Sequence, residues 1–458
     1  MDLATLFTQP EGKTLEFKRD LSSPDGFVRA AVAFANTAGG TILIGVEDGT
    51  TRIQGVADPV AIAEQAANIL SHRIAPRLVP DIEVLPWRKT QLVAVTVYPV
   101  RTGPHYVAAA GPENGTYVRV GASNRQADAA LLAELRRLAR NEPFDEQPMP
   151  EAMEDEIDLD AVRARFAPVR SIDRTDLATL RLVTAHQGRT VPTVGGLLLF
   201  GRDRFRYFPD AYIKVGLFGG KNRRHILDSI DVRGPLLDAV PEVLAFVQKQ
   251  LRREFVIGET TGARRVEQWT VPLAAVREAI ANAIVHADYS HTGAPIRVAV
   301  FDDRIEIDNP GLLPMGLTLA DVRAGVSKLR NRTIGRIWHE LGLIEQWGSG
   351  IRRMYDECAA VGLEAPVLEE IALQFRVRLS TLPARSSRLD VETTAMIGWL
   401  REVGGASTRA VADHFGISVR TARTRLATLV ARGLVAELAS SPTDPRRQYV
   451  ATRKELGS

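Results

Sequence analysis

Glu278 and Asn282 lie four residues apart in VREAIANAIVH, where Leu273, Val276, Ile280, Ala283 and Ile284 recur at helical spacing. A helix with that apolar stripe sets a carboxylate and an amide one turn apart on a different face. Such a pair suits a hydrated divalent cation and a water poised for attack. The same spacing also fits a helix surface that carries two polar residues and nothing more. Downstream the chain breaks at Asp308-Asn309-Pro310-Gly311, and later reaches Trp347-Gly348-Ser349-Gly350-Ile351. Glycines at such points let backbone N–H groups approach phosphates closely, ahead of a helix start that favours anions.

These residues need a frame. Pro272 can sit in the first turn of a helix running to about His286. Ile296–Phe301 and Arg304–Ile307 read as two strands joined by an Asp302-Asp303 turn. Lys328–Leu341 and Gly350–Val361 look helical, and Leu373–Leu379 looks like a last strand. His286 and His291 stand near the Glu278/Asn282 pair, but no carboxylate frame accompanies them in sequence. They read as core or pocket-lining histidines.

This order resembles the GHKL ATPase fold of gyrase, histidine kinase and MutL relatives, an α/β sandwich. The resemblance implies ATP and Mg²⁺ or Mn²⁺ as cofactors, with Glu278-Ala-Ile-Ala-Asn282-Ala283 as the N box. Asn282 would hold the metal and Glu278 would be the base of an ATPase. Asp308, Asn309 and Gly311 would form the adenine-contacting box, although the usual Asp-x-Gly-x-Gly is here Asp-Asn-Pro-Gly. Gly348, Ser349 and Gly350 would be phosphate-lid glycines and their neighbour, and His286 would line the pocket. More closely, HADYS, the NPG turn, Arg330-Asn331 and WGSGI resemble the ATP-binding domain of bacterial Schlafen/AlbA-type proteins, often labelled helicase-like.

The N-terminal 140 residues read as a compact α+β domain. Lys13–Lys18 alternates like a strand, with Leu15 and Phe17 on one face and Glu16 and Lys18 on the other. A helix from Ser23-Pro24 to about Thr37, a buried strand over Thr41–Val46 and a helix over Val60–Ile74 follow. Asp81–Pro86 and Gln91–Tyr98 predict a hairpin, His105–Ala109 and Thr116–Val120 a second, and Asp128–Arg140 a closing helix. EGKTLEFKRD, AFANTAGGTILIGVED and YVRVGASNRQAD resemble the Schlafen AlbA-type domain. Members bind nucleic acid, and some Schlafens cut RNA with three carboxylates. Glu11, Glu16 and Asp48 fall on those positions, with Lys18 as the basic neighbour. The resemblance thus implies a nuclease site holding one or two Mg²⁺ or Mn²⁺ ions. A surface Glu16–Lys18 ion pair and a turn aspartate are the alternative.

Residues 141–157 are Pro-rich and acidic and read as a linker. Two helical stretches between Leu159 and Ala185, strands over Pro192–Phe200 and Ala211–Leu217, and a long helix over Leu236–Glu254 connect to the GHKL-like core at about 265–380. A second linker spans Pro383–Arg388. In residues 390–458, helices over Val391–Val403 and Thr408–Phe415 lead through Gly416 to a helix capped by Ser418. Its Ala422, Leu426 and Leu429 face inward. Arg420, Thr421, Thr424 and Thr428 face out, flanked by Arg423 and Arg425. With the strands Leu434–Leu438 and Gln448–Ala451, this resembles a winged helix-turn-helix, which implies DNA binding or a protein-interaction role.

Charge agrees with the order of domains. Residues 388–458 hold 11 Lys and Arg against 7 Asp and Glu, although the whole chain of 458 residues is only +3. That local excess favours a nucleic-acid partner. Cys358 is the one cysteine, which excludes a disulfide framework. No apolar run reaches membrane-span length, so a cytoplasmic protein without a membrane partner is expected. The fold class expected is multidomain α+β. The function expected is an ATP-binding, nucleic-acid-binding regulator, with a nucleotide-gated metal-dependent nuclease as the rival and homo-oligomerisation left open. Without GxxxxGK[ST], a motor helicase is disfavoured.

Overall fold

The computed structural model describes residues 6–7, 10–47, 52–100, 103–251, 253–256, 266–269, 271–344, 349–383, 391–431, 433–438 and 447–452. They divide into two compact units, one built from residues 1–132 and 386–458, the other from 133–385.

In the first unit, the strands Leu15–Lys18, Gly40–Ile44, Thr90–Val97 and Asp81–Trp87 form one sheet in that spatial order. The first pair is parallel, with Leu15 opposite Thr41, and the others are antiparallel. The helices Pro24–Ala35 and Pro59–Arg73 supply Phe27, Phe34 and Leu70 to a core shared with Ile42, Ile44, Val93 and Val95. Alternation sends Leu15, Phe17, Leu43 and Leu92 to the opposite face, and that face is apolar too. Phe7, Trp87, Leu438 and Val450 complete this second cluster, the last two from the C-terminal hairpin.

The expected second hairpin differs. Tyr106–Val107 pairs with Ile74–Ala75, and Gly111–Gly115 is helical. The hairpin instead joins Tyr117–Val120 to Ser123–Gln126, turning at Gly121 with φ 56°. The C-terminal part follows its sequence closely. Helices Val391–Glu402, Thr408–Phe415 and Val419–Ala431 precede the strands Val435–Leu438 and Gln448–Ala451. Gly416 takes the left-handed cap at φ 61°, and Ser418 Oγ accepts the Thr421 N–H at 3.0 Å.

The second unit is organised on a six-stranded sheet. Its order is Ile226–Val232, Ile213–Phe218, Ile296–Val300, Arg304–Pro310, Gln374–Ser380, Val367–Ile371. Only Ile213–Phe218 and Ile296–Val300 pair in parallel. The helix Leu273–His286, the pocket helix, buries Val276, Ile280 and Ile284 in a core with Ile305, Ile307 and Val377.

Three expectations fail here. Pro192–Phe200 is not a strand: Thr193 caps a helix over Val194–Phe200 by accepting the Gly196 N–H at 3.0 Å. That helix is buried on every side, so no 3.6-residue stripe marks it. The long helix shortens to Ala239–Gln250, and the helix expected from Lys328 begins at Arg332.

Residues 141–157 do not hang free as a linker. Met149 N–H donates to Pro192 O at 2.8 Å, and Asp145 is fully buried. Its carboxylate accepts the N–H groups of Arg332 at 3.1 Å and Ile334 at 3.0 Å, the first turn of the helix Arg332–Glu340. Burial pushes this carboxyl up to about 7, against those backbone donors. The folded chain thus holds the proton to higher pH than the unfolded chain. Stability from this group is full below 3.8 and is lost as pH rises toward about 7. Asp145→Asn, which cannot ionise, should gain melting temperature relative to the parent between about pH 5 and about pH 8. A parent that gains on the variant over that interval would show the carboxylate ionised as a cap.

Candidate nucleotide pocket and acidic site

Asn282 Nδ2 donates to Glu278 Oε1 at 3.2 Å on the pocket helix, as their spacing requires. That bond leaves Asn282 Oδ1 as an acceptor, the atom type a hydrated Mg²⁺ takes. Beside the pair opens a cavity of about 320 Å³, within the size range of small-molecule sites. Apolar walls come from Leu312, Leu317, Val326, Ile351, Phe375 and Val377. His286 lines it, with burial holding its pKa down to about 4, so the ring is neutral at physiological pH.

Gly350, at the start of the helix Ser349–Ala360, explains how Glu278 fits. A Cβ at Gly350 would stand 1.7 Å from Glu278 Oε1. Any larger residue there would push the Glu278 carboxylate out of its present place. Ser349 begins the same helix but does not line the cavity, and Gly348 lies outside the described residues.

The strand Arg304–Pro310 sorts the expected adenine box by alternation. Asn309 faces the cavity beside Phe375, its partner across the sheet. Asp308 faces the other way, a correction to the adenine contact expected of it. The strand does not break at Asp308 but runs on to Pro310, so its parity is fixed. Asp308 is 2% exposed and accepts from Arg376 at 2.6 and 2.9 Å and from Arg223 at 3.0 Å. Gly311, at φ 99°, also lies outside the cavity lining, packed against Asp288 and Arg330.

Sequence reasoning missed the cavity's cations. Lys328, Arg332 and Arg336 all line it. Arg332 and Arg336 stand four apart in SKLRNRTIGR, on one face of the helix Arg332–Glu340, and that spacing was the available signal; Lys328 comes from the segment just before the helix. Lys328 Nζ donates to Met315 O at 2.9 Å, and Asp145 fixes the turn that carries Arg332. The same apolar slot is therefore lined by cations, a carboxylate and an amide. That chemistry matches a purine attached to phosphates and a divalent ion.

The acidic trio of the first unit is placed differently. Glu16 does point away from Leu15 and Phe17, yet the side it faces is not solvent. It lies on the helix-covered face, 8% exposed, with Oε2 2.6 Å from Arg119 and Oε1 2.8 Å from Lys18. Arg119 is fully buried, stacked 5.2 Å from the Phe34 ring, and also donates to Gly12 O at 2.9 Å and Asn124 Oδ1 at 2.8 Å. Glu11 Oε1 accepts the Phe17 N–H at 2.9 Å. Asp48 lies outside the described residues.

On the third helix of the C-terminal part, Arg420, Arg423 and Thr424 are exposed and Arg425 is half-buried. Thr424 Oγ1 donates to Arg420 O at 3.1 Å, which leaves its oxygen free to accept.

Residues 11–128 match the family model described as "Schlafen, AlbA_2", and residues 293–379 the one described as "Putative ATP-dependent DNA helicase recG C-terminal". The chain pairs a Schlafen AlbA_2-like domain with a RecG-C-terminal-like ATPase domain. The pocket helix stands just before the ATPase-like segment, whereas Asn309 and Phe375 lie within it. The pairing is of a nucleotide-binding, nucleic-acid-related kind, as its motifs imply. Among solved structures, the DIP2311 protein from Corynebacterium diphtheriae is 18% identical, with a TM-score of 0.45 over 98% of both chains. The N-terminal domain of a "Putative ATP-dependent DNA Helicase RecG-related Protein" from Nitrosomonas europaea is 26% identical, with a TM-score of 0.23. It covers 28% of this chain and 94% of its own. No curated protein matches the chain. No helix among the described residues is long and apolar enough to cross a membrane.

Breaking a buried ion pair from one side leaves the other charge uncompensated. In the AlbA_2-like domain, Glu16→Gln should therefore cost about 3–5 kcal/mol of stability, read from chemical denaturation. A variant as stable as the parent would mean that the Arg119 pair is not structural.

Proposed function

We propose that the protein binds Mg·ATP in the second unit and nucleic acid through its C-terminal segment, acting as a nucleotide-responsive regulator. The observation that carries this reading is the cavity lined by Glu278 and Asn282 and also by Lys328, Arg332 and Arg336. Asn282 would hold Mg²⁺, which supplies charge neutralisation for the phosphates when bound. Lys328, Arg332 and Arg336 would steady the phosphate oxygens. Asn309, in place of the buried Asp308, would meet the base edge, because an amide both donates and accepts. Glu278 would orient and deprotonate water if the nucleotide is turned over.

Calorimetry of the intact protein with ATP and Mg²⁺ tests the pocket. Asn282→Ala and Lys328→Ala should each weaken binding about 10- to 100-fold, the worth of a hydrogen bond to a charged group. Glu278→Ala should keep binding and lose any hydrolysis. Absence of nucleotide binding by the parent protein would overturn the reading.

The C-terminal segment is proposed as a winged helix-turn-helix with Arg420, Arg423, Thr424 and Arg425 on the recognition helix. Its support is a face that is polar and exposed while Ala422, Leu426 and Leu429 are buried. The AlbA_2-like domain would add a second nucleic-acid surface. We place the domains at 1–140, 158–382 and 390–458. The nuclease reading through Glu11, Glu16 and Asp48 is the rival, in which Glu16 would serve an ion as well as Arg119 and Lys18.

In the full chain, Arg420→Ala should weaken duplex DNA binding by about 1–3 kcal/mol if it reads a base. Saturating Mg·ATP should change DNA affinity, and DNA should change ATP affinity by the same factor. Fluorescence anisotropy with and without nucleotide checks both, and DNA affinity indifferent to nucleotide would remove the regulatory link.

A further inference from the structure

Just past the pocket helix, Asp288 and His291 meet Glu134 from the helix Ala129–Ala139. Sequence spacing gave His291 no carboxylate frame, and the fold supplies one. Each of the three offers one ligand atom, and those atoms all lie within 4.8 Å of one another. Asp288 is 2% exposed and Glu134 7%.

The hydrogen bonding around Asp288 is one-sided. Its Oδ1 accepts the Ser290 N–H at 3.0 Å and the Ser290 hydroxyl at 2.6 Å. Its Oδ2 has no hydrogen-bond partner, and neither has His291 Nε2. Buried polar atoms left in this state require an explanation. The two orphans face each other at 3.4 Å, too long and too poorly aligned for a good hydrogen bond. It is close to the separation of about 3.3 Å between two ligands placed about 2.0 Å from a tetrahedral ion.

The nearby arginines do not fill the gap. Arg330 donates to Glu134 Oε1 and to Leu312 O, and its guanidinium stays 3.7 Å from Asp288 Oδ2. Arg137 donates to Ser290 Oγ at 3.3 Å. They offset the charge of two carboxylates but give Oδ2 no hydrogen bond. A carboxylate has about four lone-pair sites, so Glu134 can serve Arg330 and an ion together. Asp288 and His291 also border a recess of about 40 Å³, which is room for a water as a further ligand.

We propose that Glu134, Asp288 and His291 bind one divalent transition-metal ion, Zn²⁺ foremost. One imidazole with two carboxylates selects zinc over Mg²⁺ or Ca²⁺, which prefer all-oxygen shells. None of the three lines the nucleotide cavity. The ion would clip the end of the pocket helix in place, since the Asp288 N–H also donates to Pro310 O at 2.8 Å.

The test uses the full chain, stripped with EDTA and free of nucleotide, titrated with zinc chloride by calorimetry and melted with and without zinc. One Zn²⁺ per chain and a raised melting temperature are expected. His291→Gln and Glu134→Gln should each weaken zinc by about tenfold or more while leaving Mg·ATP binding measurable. Two variants guard against one failing to fold. No zinc uptake by the parent protein, or parental zinc affinity in both variants, would overturn the site and leave Asp288–His291 as an ion pair.

Discussion

Alternation along the strand Arg304–Pro310 decides what the second unit can do. Ile305 and Ile307 face the pocket helix and lock it to the sheet, and Asn309, next on the same face, reaches the cavity. Glu306 and Asp308 are sent to the reverse face, where Arg223, Arg304 and Arg376 collect them. A slip of one residue would bury that ionic ladder under the helix and put Ile307 outside. The apolar packing therefore fixes the register, and the register fixes which polar side chain a ligand can meet.

Internal arginine pairs recur in both units. Arg119 holds Glu16, Arg376 holds Asp308, and Arg330 holds Glu134. A planar guanidinium with five donors can serve a buried carboxylate and further acceptors at once: Arg119 also reaches the Gly12 and Leu15 carbonyls, Arg376 also Glu306, and Arg330 also Leu312 O. Glu16 and Asp308, which look like site residues in sequence, are thereby engaged as internal partners. The pairs contribute uniqueness of packing more than net stability, because desolvation offsets much of their attraction.

Much of this architecture was legible. Strand boundaries in the first sheet, the pocket helix and the three C-terminal helices follow from periodicity and caps such as Ser418. What was not legible shares one cause: the deciding contact is distant in sequence. Val194–Phe200 reads as a strand until its all-round burial is known. Residues 141–157 read as a linker because nothing local tells of the helix end that Asp145 caps. Within the site, the Glu278/Asn282 pair was visible at four-residue spacing. The exclusion of Asp308 needed the pairing of its strand with Gln374–Ser380. The frame around His291 needed a glutamate more than 150 residues away in the chain.

The first unit has its own dependence on distance. Its sheet shows an apolar face of Leu15, Phe17, Leu43 and Leu92 that is closed in part by Leu438 and Val450, with residues 133–385 inserted between the two parts. During translation that face is made early and covered late. At about 5–20 residues per second, the delay between Leu43 and Val450 is on the order of 20–80 s. Throughout it the nascent chain carries an uncovered sticky sheet while the inserted unit emerges and folds beside it. A ribosome stalled just past the inserted unit would thus release a fragment with that unit complete and the first open to aggregation, a natural client for chaperones.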